Sequence, residues 1–437
     1  MSWLKIPLAS SLFRGRAARE AEAVNTAAAA AAMPSAAEPV VLIVGAGLTG
    51  LLAAQGLKQN GFRAIVVEKE EGIDARPREW TMLVHWAMPI LRRLVPEEVL
   101  RDLDGALCNS HLEFDAEVET LPCYNGVTGD LLFSSPTPGA RRVSRRRLRA
   151  LLARGIDVRW GMCLKNIAQT DKGVKAEFED GTAVDADYLL GTDGTSSKVR
   201  EVLLGADKAR AQGSGFLFAT GINRYDEAYK TDAIVRKHPV AALMMGTGSV
   251  GGIGVVSAED ASDKSTWTTF WVKIWRGEAV ELGGQEALDY ISKHTAPLRD
   301  EFQMAIDWTE DDAYVGVNEM KYWVPVGWDN HDGRVTLAGD AAHPMLIYRG
   351  QGFQHSITDV ENYINALVQL HVAPGDGGKG KGKVTGEAGR AEVMGAYDDE
   401  VVKRGAEAVQ QSLCEAEKSL DIGTVKQMLM ATKGHGR

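Results

Sequence analysis

The chain has 437 residues, 45% of them hydrophobic and 25% charged, with a formal charge of −10. That length holds two domains or one large composite domain with an ample core, and the acidic balance argues against a general nucleic-acid surface. No apolar run of about 18 to 20 residues occurs, so a membrane span is not expected; Cys108, Cys123, Cys163 and Cys414 lack the C-x-x-C spacing of a metal site or disulfide framework, which leaves a reducing compartment as the default.

Residues 1–38 stand apart. Up to Arg19 the segment carries Lys5, Arg14, Arg16 and Arg19 with no acid, followed by an alanine run from Ala27 to Ala32. This resembles a weak organelle transit peptide; a disordered tail, or an upstream start with Met33 as the alternative initiator, are the plainer readings. A cytoplasmic location is expected, with a mitochondrial one as the alternative.

Residues 39–44 (Pro-Val-Val-Leu-Ile-Val) form a short β-branched run suited to a buried parallel strand, and Gly45, Ala46, Gly47, Leu48, Thr49 and Gly50 follow as G-x-G-x-x-G. Leu48, Leu51, Leu52 and Leu57 have helical spacing, so the glycines occupy a strand-to-helix turn. Gly45 allows the tight turn, Gly47 lets backbone approach a pyrophosphate, and Gly50 lets helix and strand pack closely. A second strand, 64–67, ends at Glu68, 18 residues beyond Gly50. A carboxylate there accepts ribose hydroxyls and repels a 2′-phosphate, favouring the adenosine of FAD or NAD over NADP.

Beyond Glu68, the stretch with Arg76, Pro77, Arg78, Trp80, His85 and Trp86 lacks strand alternation and predicts a loop leading into a helix. Residues 143–152 predict a helix whose Arg145, Arg146, Arg147 and Arg149 form a basic face, most of it solvated. Strands follow at 174–178 and 184–190, the second ending at the Thr192-Asp193-Gly194 turn. Between 206 and 324 the chain turns β-rich. Thr266 to Trp275 predicts a strand with Trp267, Trp271 and Trp275 on one face, either walling an apolar pocket or, the favoured reading, packing in a core. Gly246 to Gly251 repeats the glycine pattern, but a strand follows it, so a β-hairpin is expected. Gly377, Gly382 and Lys383 fit phosphate-loop spacing without the required Ser or Thr, and predict a flexible linker. A strand at 334–338 runs into Gly339, Asp340, Ala341, Ala342 and His343. Ile357, Val360, Ile364 and Leu367 then mark a helix, and Met394, Tyr397, Val401, Val409 and Leu413 mark a last one.

The G-x-G-x-x-G turn with Glu68, the D-G-x-x-S-x-x-R pattern at Asp193, Gly194, Ser197 and Arg200, and the G-D-A-A-H segment at Gly339 to His343 together resemble the class A flavoprotein monooxygenases of para-hydroxybenzoate hydroxylase fold. The fungal members are most similar, and the resemblance spans residues 39 to 415. It implies an α/β fold: a Rossmann-like FAD-binding domain of three ββα layers (39–205 and 325–437, with C-terminal helices), interrupted by a β-sheet substrate domain (206–324). By the same resemblance, Asp193 and Gly194 lie near the FAD pyrophosphate and a visiting nicotinamide, and Asp340 binds the ribityl or phosphate portion. Arg145, in R-x-x-L with Leu148, contacts FAD. Gly350, Gln351, Gly352 and Phe353 open a helix toward the flavin pyrimidine ring, and Arg78 matches an arginine near the mobile flavin.

The implied reaction takes NAD(P)H, O2 and a small aromatic or polyketide/terpenoid-like substrate, hydroxylating or epoxidising it through a flavin hydroperoxide, as in fungal secondary metabolism. Only one dinucleotide site is visible, so NAD(P)H binds transiently. His85, Tyr348 and His355 are candidates to assist a phenol or alcohol, although a lone histidine near apolar residues is more often structural. Two positions depart from the family: Ile347 replaces a proline and Gln354 an asparagine. Two alternatives remain, a flavin oxidase or reductase on the same fold and a non-catalytic flavin- or NAD-sensing protein.

Overall fold

The computed structural model describes residues 38–75, 79–371 and 386–434. The extension before Glu38, Arg76 to Arg78, and the linker with Gly377, Gly382 and Lys383 lie outside the described residues.

Strand β1 (Val40–Val44) is buried at four consecutive positions, as a β-branched run covered on both sides must be. The glycine turn leads into α1 (Leu48–Gln59), which buries Leu48, Leu51, Leu52 and Leu57, and then β2 (Arg63–Val67). β3 (Thr81–Val84), the hairpin strands β4 (Thr120–Asn125) and β5 (Leu131–Pro136), and β6 (Arg141–Ser144) follow. β3 and β6 pair antiparallel, Leu83 opposite Arg142. The expected loop before the helix Met88–Leu94 is therefore partly a strand, because its partner lies far along the chain and leaves no local periodicity.

Helix α2 (Arg145–Leu152) starts at Ser144, whose hydroxyl accepts the Arg147 N–H at 3.1 Å. Its arginines are not mostly solvated as expected. Among Arg145 to Arg147 and Arg149 only Arg146 is exposed, and Arg147 donates to the Leu107 and Val256 carbonyls at 2.9 and 2.8 Å.

β7 (Asp157–Arg159) precedes an antiparallel sheet of β8 (Leu164–Gln169), β9 (Val174–Phe178) and β10 (Ala183–Ala186). β11 (Tyr188–Gly191) leaves that sheet for the parallel one, so residues 184–190 are two strands rather than one. Asp187 marks the break, its carboxylate accepting the Val40 N–H at 2.8 Å. α3 (Lys198–Leu204) is followed by β12 (Gln212–Arg224), β13 (Ala241–Met245), β14 (Ser249–Ser257), β15 (Thr268–Arg276), β16 (Glu281–Gly283), α4 (Gly284–His294), α5 (Asp300–Asp307), β17 (Tyr314–Tyr322), β18 (Val335–Leu337), α6 (Gly352–His371) and α7 (Gly386–Ser419).

The parallel sheet runs β18-β11-β1-β2-β7, with α6 packed beside α1 and α7. The large sheet runs β16-β17-β12-β15-β14-β13-β4-β5. It draws β4 and β5 from residues 120–136, well before residue 206, and β13 to β14 is the expected hairpin. Strand parity divides its two faces. Trp271 and Trp275 pack with Leu217 of β12 and with Ala287, Ile291 and Phe302 from α4 and α5, and Trp271 Nε1 donates to Thr309 Oγ1 at 3.0 Å. The tryptophan face is therefore core. The opposite face, with Phe216, Val250, Val256, Phe270 and Ile274, meets Leu346, Tyr348, Met428 and Met430. Among the described residues no helix is long and apolar enough to cross a membrane.

Candidate active site

The glycine turn lies directly against the end of β11. Gly45 has φ +108°, and a Cβ there would sit 2.7 Å from the Thr192 carbonyl oxygen; one on Gly50 would meet the Gly45 carbonyl oxygen at 2.1 Å. Both positions need glycine for different reasons, the first conformational and the second spatial. The Thr192 hydroxyl donates to the Val44 and Gly45 carbonyls at 3.0 and 2.9 Å, fastening strand end to turn. A Cβ on Gly47, in contrast, would meet no protein atom within 4 Å, and α1 begins there with no side-chain cap. Open space beside uncapped helical N–H groups fits a phosphate.

The backbone of Ala46 is gripped on both sides. Glu68 accepts its N–H at 2.8 Å, and Arg149, 4% exposed, donates to its carbonyl at 2.7 Å and to the Ile73 carbonyl at 2.8 Å. Glu68 thus fixes the turn as well as ending β2.

Asp193 turns its carboxylate onto its own helix, accepting Ser197 Oγ at 2.5 Å, the Lys198 N–H at 2.6 Å and the Val199 N–H at 3.1 Å. Burial raises its pKa against these hydrogen bonds. Gly194 follows at φ +82° with open space beside it. Arg200 closes the motif. Only 1% exposed, it donates to the carbonyls of Thr195 (2.5 Å), Ala209 (2.8 Å) and Ala341 (2.8 Å), with its guanidinium 4.7 Å from the Trp323 ring centre. The last residue of D-G-x-x-S-x-x-R therefore staples the first clamp to the G-D-A-A-H segment.

In that segment Gly339 (φ +61°) opens a single 3-10 turn in which Asp340 is exposed, with the charges of His343, Arg145 and Arg200 around it. A fully buried carboxylate holds the turn from behind. Asp359 of α6 accepts the Gly339 N–H and His343 Nε2, each at 2.7 Å, and Arg404 of α7 on its other oxygen at 2.5 Å. Burial favours the neutral acid, but His343 and Arg404 more than offset it and hold the Asp359 pKa well below the carboxylate range. Arg404 also reaches His355 Nδ1 at 3.0 Å and Glu400 at 2.6 Å.

Arg349, at φ +66°, and Gly350, at φ +59°, turn the chain into α6. Gly352 is the first residue of α6, and Phe353 packs against the core of the parallel-sheet half. Gln354 spans from this helix start to β3. Its carbonyl accepts the His85 and Ala87 N–H groups, each at 3.2 Å, and its amide donates to the Leu83 carbonyl at 2.6 Å. Ile347 stands 49% exposed just before the turn.

His85 is buried beside Trp86 and joins the site through its main chain. The Tyr348 hydroxyl accepts Ser419 Oγ at 3.2 Å inside the apolar cluster with Leu346 and Met428, and burial pushes its pKa up, so it stays a neutral phenol. Arg145 lies 4.3 Å from the Trp80 ring centre. Arg78 lies outside the described residues. Sequence reasoning missed Arg149, Asp359 and Arg404. Their one signal is a charged residue on the apolar side of a helix, next to Leu148, Val360 or Val401.

Fold and clamps together define a dinucleotide-binding α/β scaffold. The FAD binding domain family model matches residues 38–102 and 139–380. The FAD-dependent monooxygenase phnB of Penicillium herquei is 33% identical over 85% of this chain and 89% of its own length, and cctM of Talaromyces islandicus, also an FAD-dependent monooxygenase, is 31% identical over 85% and 90%. The chain belongs to this family of FAD-dependent monooxygenases. Solved structures share the fold: FqzB, with TM-score 0.70 at 18% identity over 91% of this chain and 87% of that one, and Klebsiella pneumoniae HpxO complexed with FAD and uric acid, with TM-score 0.68 at 18% identity over 91% and 92%.

Proposed function

We propose that the chain uses NADH or NADPH and O2 to hydroxylate or epoxidise a small aromatic or polyketide/terpenoid-like molecule in secondary metabolism. The observation that carries this reading is the open cradle at Gly47, between the uncapped start of α1 and the Ala46 backbone held by Glu68 and Arg149. FAD, when bound, supplies the electron transfer and oxygen activation.

The chain's own residues hold and orient. Gly45, Gly47 and Gly50 admit the pyrophosphate, Glu68 offers its carboxylate to the adenosine ribose, and Gly194, Asp340 and Arg145 take the middle of the cofactor. Asp193 serves through the helix it caps. The N–H groups of Gly352 and Phe353, at the start of α6, would hold the ring system, because a helix N-terminus favours negative charge there. Arg78, by the family resemblance, and His85, from its place beside Gln354, are assigned to that end. Tyr348, a neutral phenol, is restricted to hydrogen bonding and is no base. In this reading residues 39–205 and 325–437 hold FAD, and the apolar face of the large sheet receives substrate and excludes water.

Anaerobic mixing of the yellow protein with NADH and with NADPH, with and without candidate substrates, tests the proposal. Substrate-accelerated bleaching followed, on aeration, by one atom of labelled oxygen in the product supports it. Bleaching with release of all oxygen as peroxide identifies an oxidase or reductase, and a colourless protein removes the flavin reading.

A further inference from the structure

Arg142 is a cation without a counter-charge. Its neighbours are all engaged: Arg141 pairs with Glu119 at 2.7 Å, Arg146 with Asp74 at 2.8 Å, and Arg147 binds Ser257 and two carbonyls. Arg142 makes no ion pair among the described residues, and its Nε is buried with no hydrogen-bond partner. One contact is polar, Nη1 donating to Thr81 Oγ1 at 2.5 Å, and the guanidinium lies 5.3 Å from the Phe270 ring centre. Burial lowers its pKa, opposed only by the neighbouring Cys108 and by no carboxylate. A desolvated guanidinium is costly unless an anion completes it.

The ribbon places this charge at a meaningful point. Alternation along β3 and β6 sends Met82, Val84 and Val143 into the core of the parallel-sheet half, and Thr81, Leu83 and Arg142 to the opposite side. β3 contacts α6 and the Tyr348–Gly350 turn, with Gln354 bonded to the Leu83 carbonyl, while β6 contacts β14. Arg142 therefore stands between the start of α6 and the apolar face of the large sheet. That face offers Phe270, Val256, Ile274 and Phe216, and Arg276, over the Phe216 ring and paired with Glu417, lies at the end of β15 away from Phe270.

We propose that Arg142 is the specificity-determining residue of the substrate site, binding an ionised oxygen group, a carboxylate or a phenolate, on an otherwise apolar aromatic substrate. The inference rests on the proposed function and narrows it, since an apolar wall alone would take neutral and anionic rings alike. The guanidinium acts by positioning: it fixes one end of the ring system while Phe270 and the sheet face pack its plane.

The test compares wild type, Arg142→Met and Arg142→Lys holoenzymes by calorimetric titration with two probe pairs, orsellinate against its methyl ester and 4-nitrophenolate against 4-nitroanisole. In wild type at least one anion is expected to bind about tenfold or more tightly than its neutral partner. Arg142→Met should weaken that anion by about ten- to a hundredfold, the range for a hydrogen-bonded charge, and leave the neutral probe within about twofold. Arg142→Lys should retain part of the preference. No anion preference in wild type, or equal losses for anion and neutral probe in both variants, overturns the proposal and makes Arg142 structural. Flavin absorbance of each preparation is read separately, so that a colourless wild type counts against FAD binding while calorimetry still scores the anion site.

Discussion

Replacing Arg404 by methionine strands a carboxylate in the protein interior. Asp359 is fully buried and Arg404 about one-sixth exposed (0% and 16% of side-chain area), and Arg404 supplies the cation on one of the two Asp359 oxygens. Removing one partner of a buried pair costs about 3 to 5 kcal/mol. The Gly339 N–H and His343 still hold the other oxygen, so the lower end, about 3 kcal/mol, is expected. At roughly 2.1 cal/mol/K per residue a unit of about 400 residues unfolds with an entropy near 0.8 kcal/mol/K, so the melting temperature should fall by about 4 °C. The double variant Arg404→Met/Asp359→Asn should recover part of the loss, since no buried charge then needs a cation. The pH dependence comes from the depressed Asp359 pKa. Its contribution is present above the ordinary carboxylate pKa and is lost as pH falls toward the native value, so Arg404→Met, by raising that value, should flatten the acid limb, and its gap to wild type should narrow as pH falls below about 4. Scanning calorimetry from about pH 3 to 8 measures all three effects. A single variant within about 1 °C of wild type, or a double variant less stable than the single, would refute the reasoning.

Gly47→Ala should fold with an unchanged melting temperature yet bind FAD at least about tenfold more weakly, because its Cβ meets no protein atom; fluorescence titration of the apoprotein checks this, and unaltered affinity removes Gly47 from the cradle. Gly50→Ala, whose Cβ would sit 2.1 Å from a backbone oxygen, should instead lose stability, by about 3 kcal/mol or more in denaturant titration. Gln354→Ala removes three hydrogen bonds to the β3 segment and should cost about 2 to 4 kcal/mol, with Gln354→Asn too short to rescue it; a melting curve equal to wild type contradicts the bridging role. Asp398, buried and bonded to Asn330 and Thr336, has its pKa raised from 3.8 to about 7. The native state therefore keeps a proton that the unfolded chain releases, and the contribution to stability is full below about pH 4 and lost as pH rises through about 7. Asp398→Asn should accordingly gain on wild type from pH 5 to 8, and parallel stability profiles would sink the assignment.

Whatever depends on short-range order was legible in the residues. The β-branched run into Gly45, Gly47 and Gly50, the acid at Glu68, the Asp193 and Asp340 turns and the period of α6 and α7 are local patterns, and they identify an FAD-binding α/β fold without any long-range contact. The hairpin reading of Gly246 to Gly251 rests on the same footing. Pairing across distance was not legible. β3 exists because β6 lies beside it, residues 184–190 divide because β1 captures Asp187 and pairs with β11, and the large sheet recruits residues 120–136.

The same division runs through the site. Sequence alone determined which residue types could approach a dinucleotide, since glycine and carboxylate chemistry is fixed by the residue and its nearest neighbours. Only the tertiary structure decided that Arg149 and Glu68 grip one residue of the turn, that Arg200 ties two clamps together, that Asp359 and Arg404 hold the Asp340 turn from behind, and that Arg142 lacks a counter-charge. The physical reason is that burial and charge pairing belong to the packed chain. A side chain's partner and its exposure to water are properties of where the fold brings it, and no local pattern specifies either.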